Sequence, residues 1–225
     1  RRSNQRLAER QQYKLEQILE HVIWPPKIAA WDVDRIYNLY PPLPQQRSEG
    51  GEQFFSAKMQ QDVLYFSEMQ RQFLQRLDVV DKVVHYQRHP FTVRYEFNET
   101  ECRSTADYLF LLEDGRAVVA ELIPVLYMGL ANNLAKWSEL RRVCAEQGFG
   151  LLVTDGRRSI QEIQRTPVRA EVAAMLLQRL ASGNLTWLEY DAIRQEYGIK
   201  NLEFQAIILN NRLHWQLGPF SLSLS

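Results

Sequence analysis

The stretch Ala106-Asp107-Tyr108-Leu109-Phe110-Leu111-Leu112-Glu113-Asp114-Gly115-Arg116-Ala117-Val118-Val119-Ala120-Glu121-Leu122-Ile123 decides the fold. Two apolar runs, 106–112 and 117–123, flank a Glu-Asp-Gly-Arg tetrapeptide. Asp-Gly readily supplies positive φ, so the tetrapeptide predicts a tight hairpin turn. The second run is nearly continuous in apolar residues, which argues for a strand buried on both faces. Glu121 interrupts it, and a carboxylate in a buried strand needs a reason.

Downstream, residues 129–147 read as a helix ending at Gly148, and 150–154 form another short apolar strand. Two strands joined by a helix of this length predict a right-handed parallel crossover. Upstream, 83–89 and 91–97 are strand-like and are separated by Pro90. Before them, Val63, Phe66, Phe73, Leu74 and Leu77 suggest a helix over 56–77. Residues 53 to about 160 thus read as an α/β unit, a mixed central sheet flanked by helices.

Either side of this unit the character changes. Residues 3–22 predict a helix with Leu7, Leu15, Ile18, Leu19 and Val22 near one face. Its Arg1, Arg2, Arg6 and Arg10 fit a solvated face or an arm on a DNA backbone, the former being the commoner case. Trp24-Pro25-Pro26 stops this helix, and 24–52 reads as a Pro-rich linker with one helical turn at 32–39. Its aromatics Trp24, Trp31, Tyr37 and Tyr40 suggest that it packs against something. After a boundary near 160–167, helical patterns at 168–181, 186–197 and 201–212 precede strand-like 213–217 and 220–224. Three helices followed by a hairpin is the layout of a winged helix. The expected domains are 1–52, 53–163 and 164–225.

Composition bounds the function. Lys plus Arg and Asp plus Glu number 27 each, so no global positive field drives non-specific nucleic-acid binding. Any DNA contact must come from a local patch, and Arg141, Arg142, Arg157 and Arg158, with Arg165 and Arg169, are the candidates for phosphate contacts. Cys102 and Cys144 make neither a metal-spacing pattern nor a disulfide framework, so a reducing cytoplasm is the expected setting. The apolar runs are too short to cross a bilayer, and no signal-peptide pattern is expected. No Gly-rich phosphate loop is present. His85 and His89, four apart in a strand-like run, share a face but lack a third ligand, while His21 and His214 are isolated.

Asp107 at the start of one strand and Glu121 within the next can converge at one sheet edge. Two carboxylates there can hold Mg²⁺, which activates water and stabilises charge on a scissile phosphate. Each acid also has a plainer role: Asp107 in a strand-end turn, Glu121 paired with Arg116 or another arginine.

The chain resembles the TnsA-type transposon endonucleases over about residues 55–160. The first half of the resemblance is Ser67 to Phe73, Leu77-Asp78, Val83-Val84 and Tyr86 to Pro90. The second is Thr105 to Leu109, Asp114-Gly115-Arg116, Val119 to Pro124, and Lys136-Trp137 through Thr154. The resemblance implies a restriction-endonuclease-like PD-(D/E)XK core, Mg²⁺, DNA at transposon ends, a transposase subunit and an AAA+ ATPase. It assigns Asp107 and Glu121 to the metal, places Gln70 at the helix Glu position and Ile123 at the catalytic Lys position, and shows Ala106 where a Pro usually stands. Ile donates no proton, and Gln is a poorer Mg²⁺ ligand than Glu. Glu68 lies about 200° round the helix from Gln70, and Lys136 offers a lysine from a different backbone position.

The expected function is a transposition or recombination protein with a degenerate nuclease core that binds DNA, a transposase or an ATPase. The alternatives are an active Mg²⁺-dependent endonuclease using Asp107, Glu121, Glu68 or Gln70 and Lys136, and an assembly protein without DNA binding. Helix 201–212 carries one basic and one acidic residue, so the C-terminal domain reads as a protein-docking module rather than a groove reader.

Overall fold

The computed structural model describes residues 15–42 and 51–224. The arginines expected on the first helix, Arg1, Arg2, Arg6 and Arg10, lie outside these residues; 15–19 are helical. The chain divides into two compact units. One takes residues through 122 together with 138–159, and the other takes 123–137 and 160–225.

The first unit is built on a four-stranded sheet. Strands β3 (Val83–Arg88), β6 (Tyr108–Leu112), β7 (Ala117–Leu122) and β8 (Gly150–Thr154) lie side by side in that order. β3, β6 and β7 are antiparallel neighbours, and β7 runs parallel to β8. The turn at 113–116 closes as its sequence demands: Gly115 has φ +83°, and Asp114 accepts from the Arg116 backbone N–H at 3.1 Å. Every residue of β7 is buried, Glu121 included.

Alternation sorts the side chains of this sheet. Tyr108, Phe110, Val118, Ala120, Leu122 and Leu152 point to one face and share a core with Phe73, Leu74 and Leu77 of helix α2 (Glu68–Val79). Leu15, Ile18 and Val22 join that core. Leu109, Val119, Leu151 and Val153 therefore point to the other face. That is the side of helix α3 (Ala131–Gln147), whose Cys144 lines one small cavity together with Leu151.

The helix expected over 56–77 does not form as such. Residues 52–65 make a hairpin of β1 (Glu52–Ser56) and β2 (Gln61–Tyr65), and α2 begins only at Glu68. Ser67 caps it, accepting from the Gln70 backbone N–H at 3.2 Å. Phe54, Met59, Val63 and Tyr65 turn into the core from the hairpin. Lys58 closes the other end of α2 by donating to the carbonyls of Leu77 and Val80 at 2.6 and 2.5 Å.

A second ribbon, β4 (Thr92–Phe97) and β5 (Thr100–Thr105), is inserted between β3 and β6. Asn98 and Glu99 both take positive φ at its two-residue turn, the backbone that matches strand twist. The segment expected as a linker is tied to the sheet. Ile23 exchanges both backbone hydrogen bonds with Leu151 at 2.9 and 3.0 Å, and Ala30 bridges to Arg116. Trp31 lies against Phe149, with centroids 5.3 Å apart. Helix α1 (Val33–Leu39) follows, capped by Asp32.

The second unit is helical and ends in a hairpin. It contains the short helix α4 (Ile160–Gln164), then α5 (Ala170–Ala181), α6 (Trp187–Glu196) and α7 (Asn201–Asn211), then β9 (His214–Leu217) and β10 (Phe220–Ser223). Thr186 and Glu189 form a reciprocal capping box on α6. Val172, Leu176, Tyr190, Phe204, Ile208, Trp215 and Leu222 make its core. Gln205 is wholly buried yet satisfied. Its carbonyl accepts from the Gly129 N–H at 2.6 Å, and its amide donates to the Leu126 carbonyl at 3.0 Å.

Candidate functional site at the end of the central sheet

Asp107 precedes β6 by one residue, and Glu121 is the penultimate residue of β7. Tyr108 pairs with Ala120, so one step further puts Asp107 opposite Glu121. Both occupy the face away from α2. They are bound to each other's strand: the Asp107 N–H donates to Glu121 Oε1 at 3.3 Å, and the Leu122 N–H donates to Asp107 Oδ2 at 2.7 Å. Glu121 is 1% exposed, while Asp107 is half-buried. Antiparallel pairing thus brings together two acids that are fourteen residues apart in the chain.

The other residues expected at this site lie elsewhere or are engaged. Gln70 belongs to α2, the helix on the opposite face, and its side-chain carbonyl accepts from the Phe66 N–H at 2.8 Å. It works as part of the helix cap. Glu68 holds Arg71 with both oxygens and accepts from Gln72, contacts that lower its pKa to about 2. Ile123 directly follows β7, two residues beyond Glu121, and carries no charge, while Lys136 belongs to the second unit, where it lies 5.9 Å from the centroid of the Trp137 ring. His85 and His89 are half-buried, and burial lowers both pKa values; the positive φ of His89 ends the strand alternation between them. Among the described residues no group of three or more His, Cys, Asp or Glu could hold a metal ion.

Basic side chains gather at the same end of the sheet. β8 ends at Thr154, and Asp155-Gly156-Arg157-Arg158 turns the chain. Asp155 Oδ1 accepts from the Arg157 and Arg158 backbone N–H groups at 2.7 and 2.6 Å, so both exposed arginines are set by one turn. Gly156 takes φ +79° in this turn and lies beside Arg76 of α2. Arg76 is 3% exposed, and its pKa is lowered first by burial and then by the charge of Arg157. Arg88, the last residue of β3, lies over the Phe66 ring at 4.9 Å.

Arg76 and Arg88 were not among the residues expected to matter. Arg76 carried one usable signal: it is three residues from Phe73, inside the apolar stripe of its helix, where a charge is out of place. Of the expected phosphate contacts, Arg141 is exposed, whereas Arg142 is committed to Glu139 and Glu146. Arg169 belongs to the second unit, where it holds Glu203.

Mg²⁺ takes hard oxygen ligands, with one or two carboxylates and the substrate's own phosphate oxygens completing its shell. Asp107 and Glu121 have that chemistry. Each, however, already spends an oxygen on a backbone amide, and Glu121 is almost wholly enclosed.

No helix among the described residues is long and apolar enough to cross a membrane. No protein-family model matches the chain, and a search of curated proteins finds no match.

Proposed function

We propose that this chain is a TnsA-like nuclease-fold protein of DNA transposition or recombination. It holds DNA and a transposase or ATPase partner, and its own cleavage is weak or lost. The observation that carries this reading is the Asp107–Glu121 pair, on one face at the end of the sheet where the parallel strands β7 and β8 also end. The element order supports it: α2, three antiparallel strands, a helix, then a parallel strand, with the β4–β5 ribbon as an insertion. A restriction-endonuclease-like core would have this order, and open α/β sheets bind ligands at the carboxyl ends of their parallel strands.

In this reading Asp107 and Glu121 are the remnant of the metal site. Mg²⁺, when bound, supplies Lewis acidity and an activated water. The residues of the chain supply less. Ile123 has no proton to give, and Gln70 is bound to its own helix cap. Arg157 and Arg158, fixed by Asp155, present two guanidinium groups to phosphates, and the buried Arg76 adds positive potential behind them.

The second unit serves as the docking module, a winged-helix-like domain turned to protein rather than DNA. Seven residues of α7 are buried, which supports a role other than groove reading. Trp187 and Leu188 are 50% and 79% exposed, apolar surface of the kind that partners cover.

Two measurements test the proposal. In a titration of duplex DNA against salt, each neutralised phosphate contributes about −0.9 to the log–log slope. Replacing Arg157 and Arg158 by alanine is expected to flatten the slope by about 2. A slope already near zero in the parent protein refutes DNA binding. In a supercoiled-plasmid assay with Mg²⁺ or Mn²⁺, nicking is expected to be slow or absent. Rapid nicking abolished by Asp107→Ala would instead establish an active endonuclease.

A further inference from the structure

The first unit contains a cavity of about 540 Å³ that the acid pair does not use, at the root of the β4–β5 ribbon. Its walls come from three places in the chain: Tyr40 and Pro41 after α1, Arg94 and Arg103 on the ribbon, and Glu139 and Arg142 on α3. We propose that this cavity binds a nucleoside monophosphate group, either as a free nucleotide or as the terminal nucleotide of a DNA strand. Arg94 and Arg103 would clasp the phosphate, and Tyr40 with the adjacent prolines would face the base.

The argument begins with the ribbon register. Arg94 stands directly opposite Arg103, and Glu96 directly opposite Glu101. Like charges in directly opposed positions destabilise a ribbon, and the reversed arrangement would cost nothing to build. The two guanidinium groups share one partner, Glu101, at 3.8 and 3.6 Å, both long for ion pairs. Glu101 is the one carboxylate that reaches both arginines, and neither contact is close, while Glu139, which also lines the cavity, is held by Arg142. Arg142 lines the same cavity, but Glu139 and Glu146 on its own helix take its Nε and both Nη groups, so it is not one of the two that would clasp the phosphate. Thr92 and Thr105, joined through their hydroxyls at 2.8 Å, fix the base of the ribbon.

Size and lining select the ligand. About 540 Å³ lies within the range of small-molecule sites, roughly 300–1,000 Å³, and exceeds what an inorganic phosphate fills. The lining also includes an aromatic ring and two prolines, Tyr40, Pro41 and Pro42. Tyr40 packs against Phe91, with centroids 6.2 Å apart, and offers a ring on which a planar base could stack. A lining that joins guanidinium groups to an aromatic ring and prolines fits an anion attached to a ring.

This inference is independent of the acid pair, and its test separates the two. Binding of dAMP, deoxyadenosine and inorganic phosphate is measured by calorimetry, alongside a 5′-phosphorylated and an unphosphorylated 8-mer single strand. The expected result is dAMP binding at least tenfold tighter than deoxyadenosine or phosphate alone, lost at least tenfold in Arg103→Ala and in Arg94→Ala. A matching preference for the phosphorylated 8-mer over its unphosphorylated form assigns the site to a strand end; a preference confined to dAMP assigns it to a free nucleotide. Arg103→Ala removes the opposed charge, so its thermal midpoint is expected to equal or exceed that of the parent. Affinity lost without loss of fold therefore supports the site. Equal affinity for dAMP and deoxyadenosine, no binding of either, or dAMP binding unchanged in both variants overturns it, whatever the duplex titration shows.

Discussion

Replacing Asp107 by alanine and by asparagine separates what its hydrogen bond contributes from what its charge contributes. The carboxylate accepts from the Leu122 N–H at 2.7 Å, at the end of a strand in which every residue is buried. A hydrogen bond to a charged group contributes about 1.5–3 kcal/mol, and alanine also leaves the Leu122 N–H without this acceptor. Asp107→Ala is therefore expected to cost about 2–3 kcal/mol. Asparagine keeps a carbonyl of the same shape and removes one negative charge beside Glu121, so Asp107→Asn is expected to cost less than about 1 kcal/mol. Urea unfolding followed by circular dichroism reads both, with an unchanged slope showing that the two states are the same ones. If alanine costs under about 0.5 kcal/mol, the strand-end latch is not what holds the acids together. If asparagine costs as much as alanine, the charge of Asp107 is needed for the fold, and the pair is a structural device rather than the remnant of a metal site.

Gln70→Glu keeps an acceptor for the Phe66 N–H and is expected to leave plasmid nicking unchanged, because α2 packs on the face opposite the acid pair; a gain of nicking would refute that placement. Gln205→Ala loses both of its buried hydrogen bonds and leaves the Gly129 N–H and Leu126 carbonyl unmatched, an expected loss of about 2–4 kcal/mol in thermal unfolding followed by tryptophan fluorescence. Glu203 has its pKa lowered, first by the hydrogen bonds from Arg169, so its contribution is complete above the ordinary value of 4.5 and is lost as pH falls below it; Glu203→Gln is expected to flatten the acid limb of a stability–pH curve. Gly148 follows α3 at φ +81°, and a Cβ there would strike the Ala29 backbone, so Gly148→Ala is expected to cost more than about 1 kcal/mol in urea unfolding.

The sheet and its acids were legible because the signals were local. Asp114-Gly115 fixes a turn, the turn fixes the register, and strand parity then puts Asp107 and Glu121 on one face. The first hairpin was not legible. Val63 and Phe66 fit a helical stripe extended back from Phe73 as well as they fit a strand, and only the pairing of β2 with β1 decides between them. β5 is Thr-Glu-Cys-Arg-Ser-Thr, with almost nothing apolar to mark it, and it exists through its partner β4. Which face of the sheet the helix of Gln70 covers was not legible either, because sequence position says nothing about it. The aromatics of the expected linker did report packing, although the backbone pairing of Ile23 with Leu151 left no sequence pattern.

The unit that ends in the hairpin draws on two separate stretches of chain, 123–137 and 160–225. A gene fragment starting at residue 160 would encode α7 without Leu126 and Gly129, leaving the Gln205 amide stranded in an apolar core. Excision at the obvious place would thus cut Gln205 from both of its partners, and a fragment begun at 123 instead would carry 138–159, β8 included, away from the sheet of the first unit. On the ribosome the order is equally constrained. Residues 123–137 emerge first and must wait for α7, while 138–159 meanwhile complete the sheet.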